Sequence, residues 1–164
     1  MEIKIKTGKE ELPLRIVIFG GDGVGKSSFP KHGLFYDLEG GLTEISCQKI
    51  DLVDASFSDV MDVSRWIVEN KKTINTDTLV IDSLDWLERK IFTQCCKDNG
   101  WSTIEQPGYG KGYVAVLKYW SQFLNSMDHL RGLGFTIVFI AHSQVEHFDD
   151  PIVDNSFARH NLKL

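Results

Sequence analysis

The apolar residues fall into short runs divided by polar, glycine-bearing joints. Arg15-Ile16-Val17-Ile18-Phe19, Leu34-Phe35-Tyr36-Asp37, Gln48 to Val53, Thr78-Leu79-Val80-Ile81-Asp82 and Phe135 to Ile140 are short stretches rich in aliphatic and aromatic residues. Most are nearly continuous, the pattern of strands buried on both faces. Glu2 to Lys6 instead alternates charged and apolar residues, as an edge strand with one wet face does. Elsewhere the spacing is helical. Phe57, Val60, Met61, Ser64, Ile67 and Val68 form one stripe, opened by the capping-box pattern Ser56-Phe57-Ser58-Asp59. Leu84, Leu87, Ile91 and Cys95 form a second, with Ser83 as its cap and Asn99-Gly100 as its stop. A long helix from Tyr113 to Arg131 is expected to turn Leu117, Trp120, Leu124 and Met127 inward and to end at Gly132 and Gly134. From Ala141 onward the chain is polar and acidic and reads as loop, with a further strand beginning at Asn161 to Leu164. Strands alternating with helices predict an α/β fold around a mainly parallel, doubly wound sheet. Ligand chemistry then belongs at the carboxyl ends of the strands.

Composition narrows this picture. A chain of 164 residues, with 42% hydrophobic and 25% charged residues, has the size and balance of one globular domain spanning 1–164. The longest apolar run, Phe135 to Ala141, is far too short to cross a bilayer. Met-Glu-Ile-Lys-Ile-Lys has no apolar signal core, so a cytoplasmic location is expected. Cys47, Cys95 and Cys96 make neither a disulfide framework nor a metal-ligand spacing and read as reduced. The net charge of −5 argues against a broad basic surface, which leaves only a local, salt-sensitive patch for nucleic acid.

The candidate chemistry starts at the end of the first strand. Gly20-Gly21-Asp22-Gly23-Val24-Gly25-Lys26-Ser27 fits G-x-x-x-x-G-K-[ST], a phosphate-binding loop. Its glycines let the backbone turn sharply and aim successive N–H groups at an anion. Lys26 supplies a positive charge for the β- and γ-phosphates. The Ser27 hydroxyl suits Mg²⁺, and Ser28 completes the cradle. A helix should follow, but Pro30 and Gly33 interrupt it. Returning along a strand of about six residues needs roughly 13 helical residues, and only seven, Ser27 to Gly33, precede Leu34. A helix of about one turn, and one thinly covered side of the sheet, are therefore expected.

Three strand-end groups complete the candidate site. Asp82 follows Leu79-Val80-Ile81, and its carboxylate can hold a water on Mg²⁺; a plain strand-end cap is the alternative. Hydrolysis needs a group that orients or deprotonates water. The position after Asp82 is Ser83, and Asp85 points into the next helix, so Glu39 on the turn Asp37-Leu38-Glu39-Gly40-Gly41 is the better candidate. His142 ends the fifth strand and can hydrogen-bond a γ-phosphate or its water, with Ser143 and Gln144 as competitors. The loop Trp101 to Gly112 interleaves Tyr109 and Lys111 with glycines and reads equally as a nucleotide lid or as a base-stacking contact. Gln144 to His160 carries Arg159 and His160 but also Glu146, Asp149, Asp150 and Asp154.

Five blocks together carry a resemblance that spans nearly the whole chain: the phosphate loop, Phe35 to Leu42, Leu79 to Leu87, Gly108 to Tyr113 and Ile140 to Val145. In this order they resemble a family of phage nucleotide-binding proteins with a RecA-like ATPase core, associated with single-strand annealing and recombination. The resemblance implies a RecA-like P-loop fold, ATP and Mg²⁺ as cofactors, single-stranded DNA as partner and the host cytoplasm as location. It also implies that Glu39 activates water, that His142 or a neighbour senses phosphate, and that DNA meets the two loops above. An annealing protein and further copies of the chain become expected partners, with Arg131 or Arg159 reaching a neighbour's site. Two departures stand out: the short first helix, and an end at Leu164 where relatives continue, the mark of a truncated or minimal member. A nucleotide-dependent switch without efficient hydrolysis is the alternative. A small-molecule kinase is disfavoured because no arginine lies between Trp101 and Gly112.

Overall fold

The computed structural model describes residues 7–8, 11–149 and 156–163; the expected edge strand Glu2 to Lys6 lies outside them. Six strands form around three helices. In chain order they are β1 (Arg15–Gly20), β2 (Leu34–Asp37), β3 (Gln48–Asp51), α1 (Phe57–Asn70), β4 (Thr78–Asp82), α2 (Leu84–Asn99), α3 (Lys111–Gly132), β5 (Thr136–Asp149) and β6 (Ser156–Leu162). The first five strands run parallel in the order β1-β5-β4-β2-β3, and β6 pairs antiparallel with the far half of β5.

The direction of each crossover explains why the helices gather on one face. Parallel connections are right-handed. The steps β3 to β4 and β4 to β5 move one way across the sheet and carry α1, α2 and α3. These helices bury Phe57, Val60, Ile67, Leu87, Ile91, Phe123 and Met127 against Leu79, Ile81, Ile137 and Phe139. The steps β1 to β2 and β2 to β3 move the other way, so they must cross the opposite face. There Phe35, Val80, Val138 and Ile140 are covered by Leu42, Ile45 and Cys47, and no helix residue joins them. The expected doubly wound sheet is thus helical on one side only, and the other side is as thinly covered as the short β1–β2 link predicts.

That link goes further than expected. Residues 21–33 are a series of turns with no helix, held by Ser28 N–H to the Gly25 carbonyl at 3.1 Å and Gly33 N–H to the Pro30 carbonyl at 2.8 Å. Gly33 lies so close to the sheet that a Cβ there would come within 2.7 Å of Val80 Cγ2.

Local signals set the helix ends. The Ser56–Asp59 capping box forms in both directions, and Gly100 ends α2 at φ +67°. Helix α3 begins at Lys111, and its inward stripe is Val116, Tyr119, Phe123, Met127 and Leu130. Met127 is buried as expected, but Leu117 is 60% exposed and Leu124 is 37% exposed. Both stripes have helical spacing, one residue apart, and docking on β5 and α1 selects between them. The polar stretch after Ala141, expected as loop, instead prolongs β5 to Asp149, and β6 starts at Ser156 rather than near Asn161.

Candidate functional site

Strand order brings the candidate residues together. Gly20 at the end of β1 is in register with His142 of β5, Asp82 of β4 with Ile140, and Asp37 of β2 with Asp82. Their carboxyl ends open into a cavity of about 290 Å³ lined by residues that include Asp22, Gly23, Gly25, Lys26, Ser27, Ser28, Glu39, Asp82 and His142. This is at the small end of the range for ligand sites.

Within the loop the roles divide. Gly23 and Gly25 hold φ of +72° and +86°, a region costly for residues with a Cβ. Lys26 is buried, and its Nζ donates to the carbonyls of Gly20 at 3.1 Å and Gly21 at 2.8 Å. Gly20 and Gly21 therefore meet the site through their carbonyls, while Val24 turns out to solvent at 68% exposure. Because no helix follows, an anion here would rely on loop N–H groups and Lys26, without the helix dipole the motif usually supplies.

Ser27 Oγ donates to Asp82 Oδ2 at 2.6 Å. Burial pushes the Asp82 carboxyl up; the nearby charges of Glu39 and Asp37 add to this, while the Ser27 hydrogen bond and His142 oppose it. A hydroxyl beside a buried, charge-crowded carboxylate is a donor set suited to a hard cation. Among the described residues no cluster of three or more His, Cys, Asp or Glu could hold a metal by itself. An Mg²⁺ ion would therefore depend on Ser27, Asp82, water and phosphate oxygens, and these residues fit it.

The turn after β2 separates its two carboxylates. Asp37 is buried, accepts the Gly40 N–H at 2.8 Å and pairs with Lys49 at 3.3 Å, so it shapes the turn. Glu39 instead reaches the cavity, where its Oε2 accepts from Ser83 Oγ at 3.3 Å and lies 3.8 Å from His142 Nε2. Ser83 occupies the N-cap position of α2 but makes no side-chain cap bond. His142 Nε2 also meets Asp22 Oδ1 at 3.3 Å, and Nδ1 meets Asp85 Oδ2 at 2.9 Å.

Three contributions escaped the sequence reading: Ser83 as a partner of Glu39, Asp22 as a partner of His142, and Asp85 as the residue behind His142. Asp85 had one legible signal, its place three residues after Asp82 in the first turn of a helix. The loop 101–112 gives the cavity no lining residue, so the lid reading has no support here. Its Tyr109, at φ 49° between Gly108 and Gly110, is fully exposed. Arg131 is tied through Nε to the Pro13 carbonyl, and no arginine lines the cavity among the described residues. Arg159 stands in register opposite Glu146 within the β5–β6 hairpin, which occupies most of the stretch read as a second loop; residues 150–155 lie outside the described residues.

A parallel sheet with strand order β1-β5-β4-β2-β3, a phosphate loop on β1 and an acid at the end of β4 define a P-loop NTPase of RecA-like architecture. The chain belongs to the AAA domain family, whose model matches residues 12–163. No protein of curated function matches it. Among solved structures it is similar to a KaiC-like protein from the hyperthermophilic archaeon Pyrococcus horikoshii OT3, at 13% identity and a TM-score of 0.40, over 93% of this chain and 83% of that one. No described helix is long and apolar enough to cross a membrane.

Proposed function

We propose that the chain is a Mg²⁺-dependent ATPase that works with single-stranded DNA in phage recombination or repair. One observation carries the ATPase reading: Lys26, Ser27, Glu39, Asp82 and His142, drawn from four strand ends, line a single cavity. In this reading the N–H groups of residues 20–28 and Lys26 bind the phosphates. Ser27 and Asp82 hold the cation. ATP supplies the phosphoryl bond that is broken, and Mg²⁺ screens its charge. Glu39 takes the proton of the attacking water, and Ser83 fixes the carboxylate that does so. His142 presents Nε2 to the same space, as a phosphate-sensing donor.

The DNA part rests on the five-block resemblance and on Tyr109, whose ring stands in solvent two residues from Lys111. Further copies of the chain, contributing an arginine such as Arg131 or Arg159, and an annealing protein complete the proposal. The missing helix after the phosphate loop favours a second reading: a nucleotide-dependent switch with little hydrolysis.

Steady-state phosphate release with Mg²⁺, with and without single-stranded DNA, separates them. DNA-stimulated turnover supports the recombination ATPase. Turnover that ignores DNA removes the DNA partner. Tight ATP binding with no turnover in either condition leaves the switch.

A further inference from the structure

We propose that Asp85 is the positioning residue of the site, holding the His142 ring so that Nε2, and not Nδ1, faces Glu39 and the phosphate loop. The proposal rests on the nucleotide-site reading above and assigns a role to a group outside the phosphate loop and the strand ends.

The geometry is specific. Asp85 is buried in the first turn of α2. Its two oxygens lie 2.9 and 3.0 Å from His142 Nδ1, and Oδ1 also faces the His142 backbone N–H at 3.4 Å. The other nitrogen looks the opposite way, toward Asp22 Oδ1 at 3.3 Å and Glu39 Oε2 at 3.8 Å. The backbone of His142 is pinned as well: its carbonyl accepts the Lys163 N–H at 2.9 Å, where β5 passes from the parallel sheet into the hairpin with β6. The charged groups around the ring are therefore Asp85 from α2, Asp22 from the phosphate loop and Glu39 from the β2–β3 turn, with Asp82 of β4 near enough to interact electrostatically.

The chemical consequence follows from the imidazole itself. A carboxylate accepts but does not donate, so Nδ1 must carry the proton it gives to Asp85. This choice fixes both the tautomer and the rotation of the ring. Asp85 is itself suited to the task, since its hydrogen bonds from His142 and Ser83 outweigh burial and hold its carboxyl below the usual range. Nε2 is then the atom presented to the cavity. Three elements, α2, β5 and the β2–β3 turn, are thereby linked from a buried acid to the candidate base.

The test has a readout that does not need turnover. In ¹⁵N-histidine-labelled protein without nucleotide, long-range proton–nitrogen correlation spectra report which ring nitrogen is protonated. His142 is assigned by comparison with His142→Gln. The expected result is a protonated Nδ1 in the wild type, lost or exchanging in Asp85→Ala, while the signals of His32 and His129 stay in place as evidence of folding. Asp85→Glu should restore it in part. A wild-type His142 with unprotonated Nδ1 overturns the proposal without any variant, as does an unchanged signal in a folded Asp85→Ala. Where the wild type turns over ATP, Asp85→Ala should lower kcat about 10- to 100-fold, as groups that orient a site histidine do, with KM little changed and no further loss in the Asp85→Ala/His142→Gln double variant. Additive losses overturn the proposal. A protein with the expected ring signal and no ATPase activity would refute the hydrolytic reading and leave the positioning role standing.

Discussion

Replacing Glu39 by glutamine changes one atom's chemistry and almost nothing of the shape. The glutamine oxygen can still accept from Ser83 Oγ, which meets Glu39 Oε2 at 3.3 Å, so the turn at Gly40 should stay in place. What disappears is the ability to take a proton. A positioned general base contributes about 10²- to 10⁴-fold, or roughly 3–5 kcal/mol of barrier at 1.36 kcal/mol per decade. The effect on binding has the opposite sign. The Asp82 carboxyl is pushed up first by burial and then by the charge of Glu39, with Asp37 behind it. Removing the Glu39 charge relieves one of these pushes and leaves less negative charge facing a polyphosphate. Glu39→Gln should therefore lower kcat by about two to four decades, with the affinity for Mg²⁺-ATP equal or higher. Phosphate-release kinetics beside calorimetric titration with Mg²⁺ and ATP make the comparison. A kcat within about threefold of wild type would refute the assignment of the base. Equal losses in rate and affinity would show that Glu39 holds the site together instead.

Other consequences are open to equally direct measurement. Gly112→Ala would place a Cβ 1.8 Å from the Ile104 carbonyl oxygen, a backbone atom with little freedom to yield. Overpacking of this kind costs about 1–3 kcal/mol and should lower the melting temperature by roughly 4–8 °C; an unchanged melt in circular dichroism would show that the 101–110 loop relaxes freely. Ser27→Ala removes the hydroxyl that pairs with Asp82 and should raise the Mg²⁺ concentration needed for nucleotide binding about tenfold or more, whereas an unchanged Mg²⁺ titration would remove Ser27 from the cation site. Burial and the hydrogen bond to Asp98 push the Tyr119 hydroxyl up to about 12. Its folded value is above the unfolded one, so its contribution to stability is complete below pH of about 10 and fades as the pH rises toward 12. Urea midpoints from pH 8 to 12 should fall over that window, with a shallower fall in Tyr119→Phe; equal slopes in the two proteins would refute the cause.

Much of the molecule was legible from local chemistry. The strand runs at Arg15, Leu34, Gln48, Thr78 and Phe135 form strands because their aliphatic and aromatic side chains can be buried in a sheet, on both faces in its centre. The Ser56–Asp59 box and Gly100 mark helix ends through bonds and dihedrals that involve a few neighbouring residues. The phosphate loop, Asp82, Glu39 and His142 were nameable because strand ends in a parallel sheet converge, and Pro30 with Gly33 announced that the first helix would be curtailed. These are short-range or topological rules, and sequence spacing suffices to apply them.

Long-range contact decided the rest. Leu117 and Leu124 have the same helical spacing as Tyr119, Phe123 and Met127, so periodicity alone cannot say which stripe meets β5. The polar residues after Ala141 become strand because β6 supplies partners for their backbone, a fact no composition rule contains. The helices share one face because crossover handedness acts on strand order, and that order exists only once the sheet has formed. The pairing of Asp85 with His142, 57 positions apart in the chain, has the same origin. Their side chains meet because α2 begins where β4 ends, beside β5, and only the folded sheet brings those ends together.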